Sequence, residues 1–145
     1  MSSQLNVDTI VDKAGSGGTN VKIGNTSTYV SDGGAVTQNT VQGLAKTWLR
    51  MDGTGTPAIN DSLNVTSITD QATGNYRVTI ANDMGNANYS AVTGAGGGSS
   101  NQTLMNCSTP GDALAAGTID LDLQYQHTVA NDPEIISLSI FGDLA

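Results

Sequence analysis

The sequence predicts an all-β protein: an antiparallel, jelly-roll-like β-sandwich knob over residues 41–145, preceded by an extended N-terminal arm over residues 1–40. Three observations carry that expectation. Gly (18 residues), Ser, Thr and Asn are abundant, which suits short strands and frequent turns better than helices. Glu134 is the single Glu among 13 acidic residues; the others are Asp, which favours turns and caps over helix interiors. Residues Thr118–Tyr125 and Ile135–Phe141 alternate apolar and polar side chains as half-buried strands do.

Along the arm, Val7, Ile10 and Val11 form a small apolar cluster that Gly15-Ser16-Gly17-Gly18 interrupts. Val21 and Ile23 alternate with Lys22, and Asn25-Thr26 and Asp32-Gly33-Gly34 supply turns. So few apolar groups do not fold alone, and the arm is expected to order against another surface. Val41, Leu44, Ala45, Trp48 and Leu49 recur at helical spacing, while residues 46–51 also alternate. The reading is a helical turn over 40–45 followed by a strand over 46–52, ended by Asp52-Gly53-Thr54-Gly55.

Residues 62–68 read as one strand with Leu63 and Val65 on one face and a bulge near Ser67. A loop over 69–75 leads into a strand over 76–80, where Tyr76, Val78 and Ile80 share a face; together they make an antiparallel hairpin. Residues 88–92 form a further short strand, 94–100 (GAGGGSS) a surface loop, and 104–107 a brief edge strand. Six or seven strands in one antiparallel domain make a sandwich. Apolar residues amount to 37% and aromatics to only 4%, a lean supply for a core. A lean core and an apolar strip around Val41–Trp48 make burial between subunits reasonable, with Val41, Leu44 and Trp48 expected as core or subunit contacts.

Charge narrows the partners. Residues 42–145 carry ten acids against Lys46, Arg50 and Arg77, a net of −7 of the chain's −8. Such a body repels nucleic acid and anionic membrane surfaces, so neither is an expected partner. Cys107 is the one cysteine, which rules out an internal disulfide or a CxxC site. The segment MSSQLNVDTI has no basic stretch followed by an apolar one, and no apolar run reaches membrane-spanning length. A soluble protein made in a cytoplasm is expected.

No catalytic, cofactor or metal residues are assigned. His127 is the only histidine and no GxSxG frames a serine, so His127 reads as a loop-facing polar residue. The glycine runs GSGG and GAGGG lack the Lys-Ser/Thr of a phosphate loop. Asp120 and Asp122 lie side by side on one strand face, not across a cleft as glycosidase carboxylates must, and no DxDxDG calcium loop exists. They read as a solvent-facing strand surface. Trp48 and the tyrosines offer faces for stacking on sugar rings, against which stands the packing of Trp48 between Leu44 and Leu49.

The wording of residues 43–92 is distinctive: GLAKTW, NDSLNVTSITDQATGNY, RVTI, then MGNANYSAV. It resembles a knob domain that recurs in fibre and knob proteins of tailed bacteriophages, and LNVDTIVDKAGSGG resembles segments preceding such knobs. The likeness covers about residues 42–141. It implies a non-enzymatic, homotrimeric virion structural protein on the particle exterior, made in the host bacterial cytoplasm. No functional side chains carry over with it. The implied partners are other virion proteins, a major capsid protein or tail component, with a host surface glycan as the ligand of an adhesin. Forty arm residues reach about 130 Å fully extended and contain no shaft-like repeat. That favours capsid decoration or cement, with a short tail fibre or receptor-binding adhesin as one alternative and a free carbohydrate-binding module as another.

Overall fold

Nine strands in the computed structural model build two antiparallel sheets, of four and five strands, whose inner faces share one core. The structure describes residues 28–30, 37–39, 43–97, 103–107, 114–125 and 129–145. The chain divides between Val41 and Gln42 into two units. In the first, β1 (Thr28–Val30) pairs antiparallel with β2 (Thr37–Asn39), Tyr29 opposite Gln38. The apolar cluster at Val7–Val11 and the Gly15–Gly18 break lie outside the described residues.

The second unit begins with β3 (Ala45–Asp52) and β4 (Ala58–Leu63), continues through β5 (Val65–Ala72) and β6 (Asn75–Ile80), and adds β7 (Ser90–Gly96). Then follow β8 (Thr103–Cys107), β9 (Thr118–Tyr125), β10 (Val129–Ala130) and β11 (Ile135–Phe141). One sheet has the order β4-β3-β11-β7. The other runs β8-β9-β6-β5, with the short β10 also on β9. Leu123 donates its amide to Gly74 O and accepts at its carbonyl from Asn131 N, so β10 takes over from β6 along one side of β9. Placing β11 beside β7 after the run β7, β8, β9 is a Greek-key return.

Alternation explains the interior. Leu49 and Met51 of β3, Tyr76, Val78 and Ile80 of β6, Ile119, Leu121 and Leu123 of β9, and Ile136, Leu138 and Ile140 of β11 all point inward and are almost wholly buried. Met84 and Tyr89 close one end. Here the expectation of a core completed between subunits is corrected: within a single chain these residues already exclude water. Aliphatic side chains at every second position on four central strands supply what few aromatics do not.

Three element boundaries also differ. The run 62–68 is two strands, because Asn64 adopts a left-handed backbone (φ 60°) and turns the chain from one sheet into the other. The bulge near Ser67 is present, as a register shift between Val65 and Ser67. The loop placed at 69–75 shrinks to a tight turn at Thr73-Gly74, with Ala72 opposite Asn75. Strand β7 runs on through Gly94 to Gly96, since a glycine at the sheet edge lets Ser137 Oγ approach and donate to Gly94 O. Residues 40–42 of the expected helical turn lie outside the described residues; Gly43 and Leu44 form a bend and the strand starts at Ala45.

Candidate interaction surface

Because Thr47, Leu49 and Met51 face the core, Lys46, Trp48, Arg50 and Asp52 face outward on the β4-β3-β11-β7 sheet. Cross-strand register sets what lies beside them. Trp48 is opposite Leu63 of β4 on one side and Ser139 of β11 on the other, and Ser139 is opposite Val92 of β7. The result is one row, Leu63–Trp48–Ser139–Val92, spanning all four strands. Leu63 is 48% exposed and Val92 59% exposed. Phe141, partly buried, stands beside the row with Ala45 and Ser90 as its strand partners, and Leu44 at 61% exposure precedes it.

The next row along is polar and small: Asp61, Arg50, Ser137 and Gly94. Arg50 turns along its strand, donating from Nη1 to Met51 O at 2.8 Å and to Glu134 O at 3.4 Å. Lys46 Nζ donates to Leu44 O. Asp52 accepts from the Thr54 hydroxyl and amide, and those two bonds hold its carboxyl below the usual carboxylate range. The face therefore offers apolar area bordered by both signs of charge. Such a face can bind; its described side chains include no histidine or cysteine to move a proton or attack a carbonyl.

Of the residues singled out in the sequence, Val41 lies outside the described residues, as does His127. Trp48 lies on this face, and Leu44 sits in the bend just before its strand. The core alternative for them is corrected: strand parity turns Trp48 away from the interior, and Leu44 is solvent-facing. Leu63, Val92 and Phe141 were not anticipated as its neighbours.

The opposite sheet also departs from expectation. Asp120 is not solvent-facing; it is 5% exposed and receives two parallel hydrogen bonds from Arg77, its cross-strand partner, Nε to Oδ1 and Nη2 to Oδ2, both 2.7 Å. This fork geometry is the strongest form of the pair. Asp122 lies in register between Asn75 and Asn106. Among the described residues no group of three or more His, Cys, Asp or Glu could hold a metal ion.

A second buried polar knot ties one end of the sandwich. Tyr76 Oη donates to Asp132 Oδ1 at 2.6 Å, with Gly53 O at 3.1 Å, and Gly74 N donates to the same Asp132 oxygen. A hydroxyl has one hydrogen, and the shorter contact to the carboxylate takes it. Burial first, and that hydrogen bond second, push the Tyr76 hydroxyl far above the usual tyrosine value. It stays protonated and structural. Comparison of the chain with protein-family models, curated proteins and solved structures found no match.

Proposed function

We propose that this chain is a non-enzymatic structural protein of a tailed-bacteriophage virion, a homotrimeric knob attached outside the particle through its N-terminal arm, where it decorates or cements the capsid. The wording of residues 43–92 suggests the class. The observation that carries an assembly role is the row Leu63–Trp48–Ser139–Val92, with Leu63 and Val92 exposed on either side of a half-buried Trp48, on a domain whose interior is already closed. Apolar side chains left on the outer face of a filled sandwich are available for association, not for folding. In this reading the arm contacts shell subunits and several weak contacts per trimer add through multivalency.

Counting copies per purified particle tests it. Decoration expects copy numbers on the scale of the shell subunits, and heads lacking the protein that break at lower thermal or osmotic stress. A handful of copies at the tail, with soluble knob blocking infection, would instead establish an adhesin.

A further inference from the structure

We draw no further inference here: the strongest candidate, the outer face of the β4-β3-β11-β7 sheet around Trp48, leaves Leu63 and Val92 exposed, but nothing in the structure shows what covers it.

Discussion

Asn64 holds the corner between the sheets with every atom of its amide. Oδ1 accepts from Asn82 N and Nδ2, while Nδ2 donates to Thr47 Oγ1 and Asn82 O. Its left-handed φ is costly for most side chains and cheap for glycine. Asn64→Gly therefore reports the hydrogen bonds alone, about 2 kcal/mol, and Asn64→Ala adds roughly 1 kcal/mol of backbone strain. Urea denaturation of the two variants separates the contributions.

Gly74 is a harsher case. It combines φ 72° with a space in which a Cβ would overlap Leu123 O and Asn131 N. Gly74→Ala is expected to lower stability by roughly 3 kcal/mol or more, read as a fall in the urea midpoint. Tyr76 next to it makes a pH prediction. Its folded-state pKa is raised, so above the ordinary tyrosine value of about 10 the unfolded chain holds fewer protons than the folded one. The stabilisation is complete below that pH and is lost progressively as pH rises beyond it. Tyr76→Phe removes this alkaline dependence, which a melting series from neutral to alkaline pH detects.

At the scale of elements, β6 and β9 are locked by Arg77 and Asp120. Removing Arg77 strands a carboxylate that is 5% exposed. The expected cost of Arg77→Ala is about 2 kcal/mol, below the usual figure for a buried pair because water reaches the guanidinium. The double variant Arg77→Ala/Asp120→Ala should cost less than the two single changes added, a coupling that a double-mutant cycle measures.

Strands β9 and β11 are legible in the sequence because period-two alternation runs through both and no Gly or Pro interrupts it. The β4–β5 corner is not, because Leu63-Asn64-Val65 continues the alternation straight through a change of sheet. Only the left-handed tolerance of Asn hints at it. Glycine misleads in β7 for a related reason: a breaker by composition is admissible at an edge, where a neighbouring serine fills the gap. The interaction face was half legible. Trp48 and Leu44 stand out by type, whereas Leu63, Val92 and Phe141 join them only through cross-strand register, which pairs residues far apart in sequence. Asp120 was misread because parity gives the face of a side chain but not what covers it.

For the whole molecule, magnitudes decide how strong self-association can be. Leu44, Leu63 and Val92 are each about half exposed, and covering them gains roughly 1 kcal/mol apiece. Association costs on the order of 4–15 kcal/mol in lost freedom, so these three do not hold a complex unless Trp48 and Phe141 are covered with them. A contact of that size dissociates on dilution. Added salt screens the repulsion between bodies of −7 and is expected to strengthen association, which light scattering at low and high ionic strength reads directly.

Trp48 is the only tryptophan, so its fluorescence reports on this face and nowhere else. Acrylamide quenching followed through a dilution series tests the central claim most directly. Assembly through this face predicts weak quenching and blue-shifted emission when concentrated, rising to strong quenching as the complex separates. Quenching that is equally strong at every concentration, while the protein remains assembled, would contradict it.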